Sequence, residues 1–523
     1  MLGIAHASRS GAVHDKRSAE RWLAEAPLVD PRRACFELTS LLEAIEDTSP
    51  KPRDYAEILA VLHRPVIQAT TENSRKFAGR PLPLAPPDQA AFHQVFDLLA
   101  TCARAYQRLL HLAVDEKSGP LAKVVEHVAG GALEMLVEQL TVHYRARHEV
   151  EPELWQALHD IYQLAEEEGF TLTPLAQPGQ RAPTCAELYA RALVLHLSAP
   201  YSLSTRDFER ARRWTRSWAA KISLTSIADG KERFVVDLGT AAPPRARNPE
   251  TDTAPSIRFL QLSELRRSIR RRTRALEEEG RSPESLGLGR DCPDEEAILL
   301  LNHLQRQWAA PLARQFKRRT VSGRAELTSG FGAIHMAIGG KLARSQSSHW
   351  DFTERDSDDV RVREPSATDI MDSPSRAERW ELVDETANGF RLRRRTQGAA
   401  LQLRQLIALR PQGAGSFILC EIRWIMVAID GSITIGVQAL PGLPRPLSAQ
   451  LPTRTSGGER TFVPTFLLTS TTGGEPSLIL PTGWFVEDRE LSVSVDIDIR
   501  TVRLTTIVQQ GYDFERVKFL TLR

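Results

Sequence analysis

Residues 380–392 read Trp380-Glu381-Leu382-Val383-Asp384-Glu385-Thr386-Ala387-Asn388-Gly389-Phe390-Arg391-Leu392. The pattern predicts a strand, a tight turn and a second strand. Farther on, Phe417 to Ile429 (FILCEIRWIMVAI) leads into Asp430-Gly431 and then Ser432-Ile433-Thr434-Ile435-Gly436-Val437-Gln438-Ala439-Leu440. An Asp-Gly pair between two apolar runs is a hairpin signal. The two stretches together predict a small antiparallel β-structure.

Working outward, strand patterns begin at about Val321, with a first strand expected from Arg324 through Leu327 to Ile338. A polar stretch rich in Ser, Asp, Glu and Arg, residues 344–379, reads as a mobile insertion. Beyond the Asp430-Gly431 turn, residues 461–523 hold enough apolar runs for five or six strands. They predict either a second small barrel or a sheet packed on the first. The alternation Leu491, Val493, Val495, Ile497, Ile499 predicts one half-buried strand. Trp484 and Phe485 read as core.

The first ~220 residues carry helical periodicity. Phe92, Val95, Phe96, Leu99, Cys102, Tyr106, Leu109 and Leu110 recur at spacings of three and four, as do Leu154, Leu158, Ile161, Tyr162 and Ala165. Pro152 suits the first turn of the second helix and Gly169 its end. A helix is expected from Thr205 to Lys221, then a hairpin turning at Asp229-Gly230, a polar linker from Pro243 to Pro255, and helices over 257–279 and 293–318.

With 523 residues the chain is long enough for about three or four domains. Lys+Arg is 68 and Asp+Glu 66, a net charge of +2, which argues against a bulk nucleic-acid coat. The densest positive run, Arg266 to Arg274, precedes Glu277, Glu278 and Glu279 and lacks interleaved aromatics. It reads as a solvated helix face or a contact with an acidic partner. The five cysteines form no C-x-x-C pair, which fits a reducing compartment. No secretory signal and no 18-residue apolar span is found, so a cytoplasmic protein without membrane insertion is expected.

Signatures of catalysis are missing: no G-x-x-x-x-G-K-[ST], no H-E-x-x-H, no G-x-S-x-G. His143 and His148 are five residues apart and do not share a helix face, so surface or satisfied histidines are expected rather than a metal site. The chain is read as a non-enzyme with neither metal nor cofactor.

The succession in residues 380–450 resembles the PilZ domain, a small six-stranded β-barrel of bacterial cyclic di-GMP receptors, and the resemblance is confined to the C-terminal half. Asp384, Thr386 and Gly389 stand where the family has D/N-x-S-x-x-G, with Thr for Ser. Trp424 and Gly436-Val437-Gln438 also follow the family pattern. The family's R-x-x-x-R precedes its first strand, and here Arg314 and Arg318 hold that position. The pattern also occurs at Arg17/Arg21, Arg206/Arg210, Arg267/Arg271 and Arg391/Arg395, so placement ahead of a strand is what selects the pair.

The chemistry suits the ligand that the resemblance implies. Arginine pairs bidentately with phosphate or with guanine O6 and N7 and stacks on bases. A carboxylate accepts from guanine N1 and N2, a hydroxyl bonds phosphate or base, and glycine lets backbone approach. Asp384 and Thr386 equally suit a turn with a side-chain-to-backbone hydrogen bond, and Arg391, Arg393, Arg394 and Arg395 could add phosphate contacts or line a solvated edge.

The expected architecture is α+β multidomain: an all-α N-terminal half (1–220), an α+β connecting region (221–313), a PilZ-like antiparallel β-barrel (314–452) with its insertion at 344–379, and a C-terminal β module (453–523). The expected ligand-binding residues are Arg314, Arg318, Asp384, Thr386 and Gly389. The expected role is a signalling protein that binds cyclic di-GMP and relays it to a protein partner through the helical half, with no nucleic-acid partner. The alternative is a degenerate barrel that binds proteins without nucleotide, in pilus or motility regulation.

Overall fold

The structure is a computed structural model that describes residues 13–48, 50–115, 124–175, 182–309, 319–339, 377–451, 463–469, 475–495 and 498–522. It divides into two compact units, one of residues 1–80 and 84–314 and one of residues 81–83 and 315–523. Among the described residues no helix is long and apolar enough to cross a membrane.

Among its described residues the first unit opens with the helices α1 (Lys16–Glu25), α2 (Pro31–Thr48), α3 (Pro52–Ser74), α4 (Pro86–Asp115), α5 (Val125–Ala146), α6 (Pro152–Glu167), α7 (Cys185–Leu197) and α8 (Thr205–Trp218). Local chemistry sets their ends. Asp15 closes a capping box on α1, Thr184 and Ser204 cap α7 and α8, and prolines occupy the first turns of α3 and α6. Helix α5 is buried on nearly all sides. Gly131 lets α4 come close, since a Cβ there would lie 2.4 Å from the Tyr106 ring. The expected stripes on α4 and α6 form this core.

His143 is buried and His148 half-buried, both beside Phe92 rather than on the surface. The fold puts them close because α5 ends at Arg147, whose left-handed φ of 55° turns the chain back. Burial depresses both imidazoles to about 4, so both are neutral near pH 7.

The rest of the unit departs from the expected hairpin and linker. A four-stranded sheet has the order β1-β4-β2-β3, from β1 (Ser223–Thr225), β2 (Phe234–Asp237), β3 (Arg245–Ala246) and β4 (Ile257–Gln261). Strand β1 pairs with β4, not with β2 across the Asp229-Gly230 turn. The turn itself forms, with Gly230 at φ 87°. The expected linker contributes β3, fastened by Arg245 to Asp252. Ile257–Gln261 is strand instead of helix: its apolar residues lie against β1 and β2, and only then does α9 (Ser263–Glu277) begin. Helix α10 (Asp294–Gln307) follows, shorter than expected.

The second unit holds two closed six-stranded antiparallel barrels. Barrel one comprises β5 (Arg319–Ser329), β6 (Glu378–Thr386), β7 (Gly389–Arg394), β8 (Leu406–Pro411), β9 (Ile418–Val427) and β10 (Ile433–Ala439). The expected first strand stops at Ser329, and α11 (Phe331–Ala337) replaces its second half. Most of the expected insertion lies outside the described residues, while its last residue, Arg379, already belongs to β6. Buried Leu382, Leu392, Ile407, Ile422, Ile425 and Ile435 share the inward parity of the wall. Arg394 Nη1 donates to Glu378 at 2.5 Å, and the guanidinium sits over the Trp380 ring at 5.0 Å.

Barrel two comprises β11 (Leu443–Gln450), β12 (Val463–Thr469), β13 (Ser477–Pro481), β14 (Glu490–Val495), β15 (Asp498–Gln510) and β16 (Phe514–Thr521). The C-terminal β module is thus a barrel. The long alternation is two strands: Val495 pairs with Asp498 across a tight reversal, Leu491 and Val493 are buried, and Ile499 is exposed. Trp484 and Phe485 pack against this barrel's core. Between the barrels lies a second core of Leu406, Ala408, Phe417, Leu419 and Leu440 with Phe466, Leu468, Ile479 and Phe514, joined by Phe331 and Ile334 of α11.

Candidate functional site

The β6–β7 hairpin turns through Ala387-Asn388, with Thr386 paired to Gly389. Thr386 Oγ1 donates to the Gly389 carbonyl at 3.2 Å. Gly389 runs close to β10: a Cβ on it would lie 2.9 Å from the Val437 carbonyl oxygen. The motif glycine is therefore needed for close backbone approach rather than for a left-handed φ.

Cross-strand pairing carries one row of residues across the wall. Asp384 pairs with Arg391, Arg391 with Gly436, and Gly436 with Trp424. Directly paired residues share a face, and the neighbouring row, Leu382, Leu392, Ile435 and Ile425, is buried inside. The row therefore faces outward. Arg391 lies over the Trp424 ring at 5.8 Å. The indole lies across Gly436, where a Cβ would come within 1.9 Å of Nε1. A side chain at 436 would fill the space the ring occupies.

By the same parity Arg393, opposite Thr434 and Glu381, shares this face. The Nε atoms of Arg391 and Arg393 are buried without a hydrogen-bond partner among the described residues. Buried donors in that condition cost free energy until something accepts from them. Arg395 is already committed, to Glu381 and Asp430. The Asp430 carboxyl is held below the usual range, first by its hydrogen bonds from Ser432 and then by Arg395 and Arg393. Arg394 has the opposite parity and closes the barrel end.

Two irregularities lie beside the row. The β5–β6 register shifts between Thr320 and Gly323, and the β6–β7 register between Leu382 and Asp384. These bulges bend both strands and border a cleft of about 450 Å³ lined by Ser322, Gly323, Arg324, Glu381, Leu382, Val383 and Gln412.

Of the five expected residues, Asp384, Thr386 and Gly389 come together on one hairpin. Arg314 and Arg318 lie outside the described residues. The first described residue after them, Arg319, starts β5 opposite Glu385. Sequence reading names Arg391, Gly436 and Trp424 separately, but not the row they form. Its signal was the two-residue spacing of Gly389, Arg391 and Arg393, but the facing residues on β10 and β9 follow only from register. Among the described residues no group of three His, Cys, Asp or Glu side chains could hold a metal ion.

Comparison with known proteins now bears on this geometry. Three family models match in succession: the N-terminal domain of the cyclic-di-GMP receptor FimW over residues 17–229, its middle PilZ domain over 233–378, and the FimW C-terminal β-barrel domain over 448–522. The chain carries a PilZ domain. The PilZ match begins beside β2 and ends at the first residue of β6. PilZ similarity therefore lies in the middle of the chain and is not confined to its C-terminal half. The chain is also similar to the cyclic-di-GMP receptor FimW of Pseudomonas aeruginosa, 26% identical over 195 residues. That alignment spans 36% of this chain and 31% of the relative.

Proposed function

We propose that this chain is a cyclic di-GMP receptor that holds the dinucleotide on the outer face of barrel one and relays its arrival to a protein partner through the helical half. The observation that carries the reading is the outward row Asp384–Arg391–Gly436–Trp424 beside the Thr386–Gly389 turn. Asp384 accepts from a guanine Watson–Crick edge. Arg391 and Arg393 offer unpartnered Nε donors to phosphate or to guanine O6 and N7. Arg391 over Trp424 forms a flat cationic surface on which a base stacks. Arg314 and Arg318, just ahead of β5 in the chain, supply a second arginine pair.

In this reading the protein is a non-enzymatic receptor in the cytoplasm, consistent with a relative named as a cyclic-di-GMP receptor. The deciding experiment is calorimetric titration of the full-length chain with cyclic di-GMP, with GTP as control. Saturable binding is expected. Arg314→Ala with Arg318→Ala, and separately Asp384→Ala, should each weaken it about tenfold or more, the size of a lost charge-assisted hydrogen bond. Unchanged affinity in the arginine double variant would remove that pair from the site.

One observation favours a second reading. The Thr386 hydroxyl proton is already given to the Gly389 carbonyl, so it holds the turn. In a scaffold that binds proteins without nucleotide, the motif would be retained for the hairpin alone. The same partner recovered with and without cyclic di-GMP would favour the scaffold, whereas strict nucleotide dependence would remove it.

A further inference from the structure

The arginine run on α9 does not form a uniformly solvated face. Arg272 donates to the Leu286 carbonyl and to Ser268 and lies over the Trp218 ring at 5.2 Å. Arg274 pairs with Glu278. Arg266 and Arg267 instead border a cavity of about 310 Å³ between the Asp229-Gly230 turn, β2, the end of β4 and the first turn of α9.

The cavity gathers four cations around two acids. Lys231, Arg233, Arg266 and Arg267 all line it, and among the described residues none of the four has a carboxylate within ion-pair distance. The Arg266 Nε is buried without a hydrogen-bond partner among those residues. Burial first, then the Arg270 and Arg233 charges, make Arg266 easier to deprotonate.

The two acids of the cavity are already engaged. Glu232 Oε1 accepts from the Asp229 N–H and from Gln261, and its Oε2 accepts from the Gly230 N–H and from Arg247. Its charge thus holds the turn and meets a fifth cation. Asp229 is exposed and accepts from the Lys231 N–H. Leu262 and Ser263 bring the positive end of the 15-residue helix α9 to the same space. The four cations outnumber the two acids of the cavity, so a bound anion would relieve their repulsion further.

We propose that this cavity binds a phosphate-bearing small ligand, with Arg266 and Arg267 as its principal donors. Planar guanidinium forks match phosphate oxygens. The cavity's size, at the low end for small-molecule sites, suits a phosphate with at most a nucleoside attached. All of its residues belong to the first unit, so the inference does not depend on the barrel row.

The test is calorimetric titration of the full-length chain with inorganic phosphate, pyrophosphate and GMP. Saturable binding of at least one is expected. Arg267→Glu should weaken it about tenfold or more. Arg267 is exposed on its helix, so charge reversal leaves the fold intact, which circular dichroism checks. Arg274→Ala, outside the cavity and paired with Glu278, should bind as the unaltered chain does. Pyrophosphate binding as tightly as GMP would assign the site to phosphate alone, and binding of GMP only would assign it to a nucleotide. No saturable heat from any of the three, or equal affinity in Arg267→Glu, overturns the proposal.

Discussion

Counted in chain order, the six strands of each barrel follow one another around the wall as 1-2-3-6-5-4, with every neighbouring pair antiparallel. In barrel one, strand 3 is β7, and Arg391 and Arg393 project outward from it. In barrel two, strand 3 is β13, Ser477-Leu478-Ile479-Leu480-Pro481, buried along its whole length. Leu478 and Leu480 point into the barrel, whereas Ile479 points out into the core shared with barrel one. Phe466, Leu468 and Phe514, on the adjoining strands 2 and 6, point the same way. The wall of barrel two formed by strands 2, 3 and 6 is thus consumed by packing. Barrel one contributes its strands 4 and 5, β8 and β9, to that contact, and the residues of its strands 2, 3 and 6 take no part in it. Identical wiring thus gives the two barrels different outer walls. What differs is which wall enters the shared core and what the outward residues of the other wall are.

The largest effect that would break this comparison is at the shared core. Phe466 is fully buried and meets the Phe331 ring at 5.3 Å. Phe466→Ala should cost about 3–5 kcal/mol, read as a fall in the denaturant midpoint. A change within error would mean that the barrels do not stabilise one another.

Next in size is Gly436→Val. It must displace the Trp424 indole, and overpacking of this kind costs about 1–3 kcal/mol. The expected outcome is a shift in tryptophan emission together with weaker cyclic di-GMP binding. The corresponding strand of barrel two, β16, contains no glycine. Displaced emission with unaltered affinity would show that Trp424 is not part of the ligand surface.

A smaller effect should follow pH. Asp513, just before β16, accepts from the Leu406 N–H of barrel one at 2.8 Å, and burial pushes its carboxyl up to about 7. The folded state then holds a proton that the unfolded chain releases near 3.8. This contribution is complete below that value and is lost as pH rises to about 7. Asp513→Asn keeps an acceptor for Leu406, so its melting temperature should vary less between pH 4 and pH 7 than that of the unaltered chain. Identical pH profiles would place the carboxyl in solvent.

The smallest effect is expected at Arg395, an exposed side chain paired with Glu381 and Asp430. Arg395→Ala should change stability by less than about 1 kcal/mol in urea. A larger loss would mean that the pairs hold the β7 edge in place.

The strand-turn-strand of residues 380–392 and the Asp430-Gly431 hairpin were legible because period-two alternation and turn residues are local signals. The helices α4, α6 and α8 were legible for the matching reason at period 3.6. Ile257–Gln261 was not, because an apolar run of that length suits a strand or a helix until a partner strand is known. The single alternation from Leu491 to Ile499 hid a reversal, since parity on each side of a tight turn looks continuous. At the site, Asp384, Thr386 and Gly389 were found by a motif confined to one hairpin. In the sequence Arg391 suits either a phosphate contact or a solvated edge, and only register with Gly436 and Trp424, 33 or more positions away in the chain, puts it in one row with Asp384.

By itself the sequence determined the helical first part, the β-rich second part, the hairpin and its three motif residues. Each of these is set by side-chain periodicity or turn chemistry within a dozen or so residues. Tertiary structure alone decided that six strands close into each barrel, and that strands 2, 3 and 6 of barrel two, but not those of barrel one, enter the shared core. It also decided that Arg266 and Arg267 face a cavity rather than open solvent. Those outcomes depend on pairing and packing between residues far apart in the chain, where burial and register, not local preference, set the free energy.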